Sequence, residues 1–330
     1  MTDRIVKKAM NDEELTEKEM GELFKVPTFS DESGRIISAG RRKSEQASKG
    51  LAEIHGQIGL NIAPCTGNCK FCSFAAVNGI FQQSEEMSPE TVVKEAQNFI
   101  NDGANAIFVM ATAQYSFGKY IEMGQELNNS LHDEAVLIAN VGDMDETQAR
   151  RLKKAGFEGI YHAVRLGEGE ITEFEVENRL QTFENARNAG LKLGTCLEPV
   201  GNEHTIEELV EKTIITRDAK PVYSGSARRI PIPNTELAQY GIVSEARMAH
   251  ILAVVRLSLP LTVPGNCTHE PNALGCAAGA NLLWAESGSN PRDTEKNTEQ
   301  KRGDTVSDCQ KIFEESEWDI LEGPSVFYSD

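Results

Sequence analysis

Positive charge is in short supply in this 330-residue chain: 33 Lys and Arg stand against 51 Asp and Glu, for a formal net charge of −18. A polyphosphate partner needs a Lys/Arg-rich surface, so the deficit argues against nucleic-acid binding. An acidic surface of this kind serves solubility or steers a basic partner toward the chain. Long apolar runs are missing too. None approaches the ~20 residues of a membrane span, and the opening "MTDRIVKKAMNDEE" has no signal-peptide core. The expectation is a cytoplasmic protein that binds neither membrane nor nucleic acid. Seven cysteines, an odd number in a chain this long, suit reduced thiols or metal ligands better than a disulfide framework.

What is there is a strand–helix alternation, from about residue 56 to the late 280s. The strands read as "QIGLNIAP", "NAIFVMATA", "AVLIANVG", "GIYHAVRLG", "LKLGTCLEPVG", "VYSGSARRIPI", "LTVPG" and "NLLWAES". Amphipathic helices lie between them. One is "SPETVVKEAQNFINDG", with Ser88 as N-cap, Pro89 in the first turn and Gly103 as the stop. Eight such units, parallel by the crossover rule, predict an α/β fold, a (β/α)8 TIM-type barrel that is complete or slightly open. Residues 1–50 read as an N-terminal helical extension, 51–287 as the barrel, and 288–330 as a C-terminal tail with a short helix, expected to lie over the barrel mouth.

Three of the seven cysteines are crowded into "IAPCTGNCKFCSF" as Cys65, Cys69 and Cys72. The loop follows the first strand, at the end where such barrels build their sites. A tetrahedral zinc site would want a fourth ligand close by, and the stretch has none. Three thiolates can instead hold a [4Fe–4S] cluster and leave its fourth iron open.

The CxxxCxxC spacing, with Phe71 before the third cysteine, resembles the radical S-adenosylmethionine (SAM) superfamily. The stretches "DMDETQARRLKKAGFEGIYHAVRL", "RLQTFENARNAGLKLGTCLEPVG" and "GCAAGANLLWAESGSNPRDTEKN" extend the likeness to its biotin synthase-like branch. That branch includes biotin synthase, HydE, methylornithine synthase and archaeal two-component lipoyl synthase. The resemblance covers roughly residues 50–300. It implies a [4Fe–4S] cluster on Cys65, Cys69 and Cys72, SAM chelated to the open iron, and hydrogen abstraction by a 5′-deoxyadenosyl radical. It also implies an electron donor such as ferredoxin or flavodoxin. By position it assigns Arg165 to the SAM carboxylate, and Glu168, Glu198 and the Thr112 hydroxyl to polar contacts with SAM. The usual Gly-Gly-Glu of the second strand is replaced here by Ala111, Thr112 and Ala113. Each of these polar residues also reads as an ordinary strand-end side chain, and His162 as a core histidine.

Four cysteines remain. The second and third strands carry none, unlike biotin synthase proper. Cys267 follows the seventh strand, Cys276 opens a helix, and Cys309 lies in the tail. If the tail folds across the mouth, these three would hold a second iron–sulfur cluster; otherwise Cys276 and Cys309 are small core residues. Cys196 faces either into or behind the barrel, and His269 and Glu270 sit in the loop beside Cys267. Arg228 and Arg229 alternate on the sixth strand, so one is expected to face inward toward a carboxylate or amide substrate, unless both serve to pair outward with the acidic surface. Two enzymatic readings stand beside a non-enzymatic iron–sulfur scaffold. One is sulfur insertion of the lipoyl synthase kind, on an octanoyl chain held by a carrier protein and with a partner radical SAM subunit. The other is radical rearrangement or C–C bond chemistry on a small molecule.

Overall fold

Residue 51 begins a strand six positions before the expected one, because "LAEIHGQIG" is buried from Ala52 onward and reads as a core strand rather than as the end of the preceding helix. In the computed structural model, which describes residues 1–132 and 134–329, this strand, β1 (Leu51–Gly59), opens a parallel barrel. The others are β2 (Ala106–Met110), β3 (Val136–Asn140), β4 (Phe157–Tyr161), β5 (Lys192–Gly194, resuming as Leu197–Val200), β6 (Tyr223–Arg228), β7 (Gly265–Thr268) and β8 (Leu282–Gly288). β8 pairs with β1 and β6 with β7, which closes the eight-stranded circle. The barrel is therefore complete.

β7 departs from its expected position. Of "LTVPG", Leu261 and Thr262 form a turn and only the final glycine is in the strand, so the ladder is made by Gly265, Asn266, Cys267 and Thr268. Pro264 has no N–H to give a ladder, so pairing starts just after it. Cys267 consequently lies inside the strand rather than beyond it.

The helices are set by local signals. Ser88 accepts the Thr91 N–H and caps α4 (Pro89–Asn101), with Pro89 in its first turn. Capping boxes start α6 (Glu146–Lys154) and α8 (Ile206–Asp218). α5 (Phe117–Leu131), α7 (Val176–Asn188) and α9 (Glu245–Ser258) complete the ring, with the short α10 (Ala273–Ala277) before β8. Ahead of the barrel, α1 (Thr2–Met10), α2 (Glu17–Phe24) and α3 (Asp31–Ser48) pack on α8 and α9. Gly40 of α3 allows the close approach: a Cβ there would meet Ala253 of α9 and the Ala278 carbonyl at 2.9 Å.

The chain after β8 does two different things. Residues 289–303 run beside the mouth, where the Pro291 carbonyl accepts both Ser73 N–H and Ser73 Oγ at 3.0 Å. The remainder closes the opposite end. α11 (Val306–Glu315) packs outside the barrel, and β9 (Asp319–Ile320) pairs with Leu51 and Ala52 at the start of β1. Phe327 and Tyr328 are buried beside Gly265, the first residue of β7, and Gly159 within β4. Only the first part of the tail thus lies at the mouth. The aromatic end goes where the barrel floor offers buried apolar area and the Glu53 carboxylate, which accepts N–H bonds from Val326 and Phe327 at 2.8 and 3.3 Å. Among the described residues, no helix is long and apolar enough to cross a membrane.

Candidate active site at the barrel mouth

The loop after β1 is shaped by its own backbone. Cys65 N–H donates to the Phe74 carbonyl at 2.7 Å, and Ala76 N–H returns to the Cys65 carbonyl at 2.9 Å. Asn78 ties the carbonyls of Cys69 and Cys72 together, at 3.3 and 2.8 Å. Asn68 takes a left-handed conformation, φ 44°, which asparagine tolerates, and its side chain accepts the Val77 N–H. Gly67 has no side chain because the Phe174 ring lies 2.3 Å from where a Cβ would be. The outcome is a folded loop whose three thiols all line one cavity at the C-terminal ends of the strands.

Burial pushes the Cys69 thiol up to about 11 and the Cys72 thiol up to about 12. Both are therefore protonated at neutral pH until a metal displaces the proton. Phe74 N–H points at Cys72 Sγ from 3.3 Å, the kind of donor that stabilises a thiolate. Three soft donors from one loop, facing a cavity and supported by a backbone N–H, fit a cluster held by three thiolates.

Opposite the thiols, Arg165 and Glu198 line the same cavity, with Arg165 Nε 3.6 Å from Glu198 Oε1. Burial works against the Arg165 charge, but the Glu168 and Glu198 carboxylates outweigh it and hold the guanidinium firmly ionised. Phe71 and Thr112 also reach the cavity. The Thr112 hydroxyl is engaged, however, accepting a bond from Asn61 at 2.9 Å.

Glu168 lies behind the wall rather than on the cavity. Its carboxylate accepts Arg165 N–H at 2.9 Å and Thr172 Oγ1–H at 2.7 Å, and sits 3.6 Å from Arg179. It braces the turn that carries Arg165. Arg228 and Arg229 reach the cavity edge, but acids hold both. Arg229 forms a two-bond pair with Glu203, and Arg228 lies 3.4 Å from Glu245. Neither presents a free guanidinium.

The proposed second set of thiols is not assembled. Cys267 faces the barrel interior among Phe108, Tyr161, Tyr223 and Trp284. Cys276 and Cys309 are buried in the separate apolar layer between barrel and helices. The wall of strands divides them, because the tail carries Cys309 around the outside instead of across the mouth. Cys196 instead meets Cys267, with their Sγ atoms 3.0 Å apart.

Several lining residues escaped the sequence reading, among them Gln57, Tyr161, Asn290 and Arg292. Gln57, a buried polar residue inside an apolar strand, was the one with a usable signal. Arg292 had none. It bridges Glu270 and Glu286 from a loop, with a 3.0 Å contact to Glu270, and Arg302 pairs with the same two acids.

Comparison with known proteins agrees with this geometry. The Radical SAM superfamily model matches residues 63–213. The chain is 25% identical over 299 residues to a biotin synthase of Neorickettsia sennetsu, covering 84% of this chain and 90% of that one. It is 26% identical over 236 residues to a biotin synthase of Kocuria rhizophila, covering 68% of this chain but only 50% of the relative's length. In fold it matches the FeFe-hydrogenase maturase HydG from Carboxydothermus hydrogenoformans, with a TM-score of 0.81 at 18% identity over 99% of this chain and 80% of that one. Methylornithine synthase (PylB) gives 0.78 at 14% identity, over 96% and 97%. With a three-thiol loop at the mouth of a closed barrel, a radical SAM match over residues 63–213 and biotin synthases among its relatives, the chain is similar to radical SAM proteins of the biotin synthase-like kind.

Proposed function

We propose that this chain inserts sulfur into an unactivated C–H position of an octanoyl-like chain held in the barrel mouth. The observation that carries the radical step is the convergence of the Cys65, Cys69 and Cys72 thiols with Arg165 and Glu198 on one cavity. The three thiolates would hold a [4Fe–4S] cluster which, with SAM bound, supplies a 5′-deoxyadenosyl radical. Arg165 would orient the SAM carboxylate, and Glu198 would offer a polar contact beside it. Phe71, Phe74, Phe108 and Met110 give the cavity an apolar lining that suits a hydrocarbon chain and excludes water.

One observation supports sulfur as the group added: the relatives named above are biotin synthases. A carrier protein would deliver the octanoyl chain, a second iron–sulfur cluster held with a partner radical SAM subunit would donate the sulfide and take up the electron given by the carbon radical, and ferredoxin or flavodoxin would supply the electron that cleaves SAM. The separation of Cys276 and Cys309 from Cys267 favours a second reading, a radical rearrangement of a small molecule that needs no sulfur source.

The test is anaerobic reconstitution with SAM, reductant and an octanoyl-lysyl peptide. 5′-Deoxyadenosine together with peptide carrying added sulfur is the expected result. Deoxyadenosine without sulfur in the peptide overturns sulfur insertion in favour of the second reading. Absence of deoxyadenosine from an iron-loaded protein overturns both and leaves the scaffold.

A further inference from the structure

Below the mouth, the fifth strand is interrupted at Thr195 and Cys196 before resuming at Leu197. A break in a ladder re-aims the side chain it carries, and here Cys196 meets Cys267 of β7. Both are buried, at 1% and 0% exposure, and their sulfurs lie 3.0 Å apart. That is well beyond the ~2.05 Å of a disulfide, yet close for two unlinked thiols. The neighbouring strand makes room for them, since a Cβ at Gly225 of β6 would strike the Cys267 carbonyl oxygen at 2.0 Å.

A third donor converges on the pair. One ligand atom each from Cys196, Cys267 and His269 lies within 4.8 Å of the others, and all three residues are buried. The His269 ring stacks on Trp284 with centroids 5.1 Å apart and planes at 1°, and its Nε2 has no hydrogen-bond partner. A buried imidazole nitrogen left without a partner is costly and calls for an explanation. Burial, and then the charges of Arg292 and Arg302, hold the ring neutral, the form that binds a metal.

We propose that Cys196, Cys267 and His269 bind one thiophilic divalent metal ion, of the zinc or ferrous class, at the floor of the barrel cavity. Two sulfurs and a nitrogen at bond lengths of about 2.3 and 2.0 Å surround a tetrahedral ion with donors within about 4 Å of one another. The three donors here, all within 4.8 Å of one another, lie near that arrangement, whereas an iron–sulfur cube would need its thiolates farther apart. Three protein ligands leave the fourth position open, as in catalytic rather than structural sites. His269 also lines the mouth cavity, so the ion lies between the cavity and the aromatic barrel core. The inference goes beyond the radical reaction and holds whichever reaction the mouth performs.

The probe is cobalt(II), added to the full chain carrying Cys65→Ala, Cys69→Ala and Cys72→Ala, so that the loop thiols contribute nothing. One cobalt per chain is expected, with thiolate-to-metal charge transfer and the strong visible bands of tetrahedral coordination. Adding Cys196→Ser and Cys267→Ser removes both signals. His269→Gln, on the first background, keeps the charge transfer and weakens cobalt binding at least about tenfold. If the five-fold variant does not fold by circular dichroism, the His269→Gln comparison decides. Equal cobalt binding with and without the two thiols, or with and without His269, overturns the site. So does a loss of two titratable thiols in the denatured, unreduced protein, which reveals a disulfide. Iron retained with equimolar acid-labile sulfide overturns the single ion in favour of a cluster. Because every reading is taken without the loop thiols, a failed radical assay and a failed metal site remain distinguishable.

Discussion

At the scale of single residues, the seven cysteines divide into three populations by where the strands put them. Cys65, Cys69 and Cys72 share the mouth loop, Cys196 and Cys267 share the barrel interior, and Cys276 and Cys309 share the outer apolar layer. Burial pushes the Cys276 thiol up to about 12, as expected of an inert core cysteine. The Cys276→Ala, Cys309→Ala double variant should therefore keep the iron and sulfide content of the parent and lose about 1–3 kcal/mol of stability. Iron analysis and urea denaturation check this, and a loss of iron would restore these two thiols to a cluster. The mouth loop was legible in the sequence because its chemistry is local: three thiols in eight positions need no tertiary contact to be recognised. The Cys196–Cys267 meeting was not, since it depends on strand parity and on an interruption in β5. Arg228 and Arg229 show the same limit. Their position at the cavity edge was legible, but their capture by Glu245 and Glu203 was not.

At the scale of elements, His250 shows how the N-terminal helices are fastened. It lies fully buried on α9, with Nδ1 2.8 Å from Ser33 Oγ of α3 and Nε2 3.0 Å from the Leu23 carbonyl of α2. Burial, against the pull of the Leu23 carbonyl and helped by the Arg247 charge, brings its pKa down to about 4. A histidine depressed in the folded state binds its proton more readily when unfolded. Its penalty is absent above the ordinary value of 6.5 and grows as pH falls toward 4. His250→Gln should thus reduce the stability lost between pH 7 and about pH 5 by about 2 kcal/mol. Urea titrations at the two pH values check it, and an unchanged loss would refute the role. The tail offers a second test at this scale. Phe327→Ala, which empties the barrel floor, should cost about 3–5 kcal/mol in the same assay. It should leave 5′-deoxyadenosine formation intact, because the floor is the end away from the mouth. Strands and helices were legible through hydrophobic period and capping residues such as Ser88. The path of the tail was not, since "GPSVFYSD" carries no period and its burial is decided by the shape of the barrel end.

At the scale of the whole molecule, a net charge of −18 leaves the folded chain repelling itself wherever carboxylates lack partners. Raising salt from about 0.01 to about 0.15 M shortens the screening length from about 30 to about 8 Å. The melting temperature should therefore rise by a few degrees, as scanning calorimetry would show. A fall would mean that ion pairs such as Arg302–Glu286 and Arg292–Glu270 contribute more than the repulsion removes. The closed circle of strands was legible in the sequence as eight βα units, with β1, β4 and β7 displaced and β5 interrupted. The two tryptophans of the chain occupy opposite sides of its wall. Trp318 lies in the outer layer beneath the Arg41 guanidinium, while Trp284 stands inside the barrel, stacked on His269 and edge-on to Phe108. The protein thereby carries its own lamp at the cavity floor. In a Trp318→Phe background the remaining emission comes from a single fluorophore. Its brightness should change as the adjoining imidazole is occupied or freed, which lets the inside of the barrel be watched by light alone.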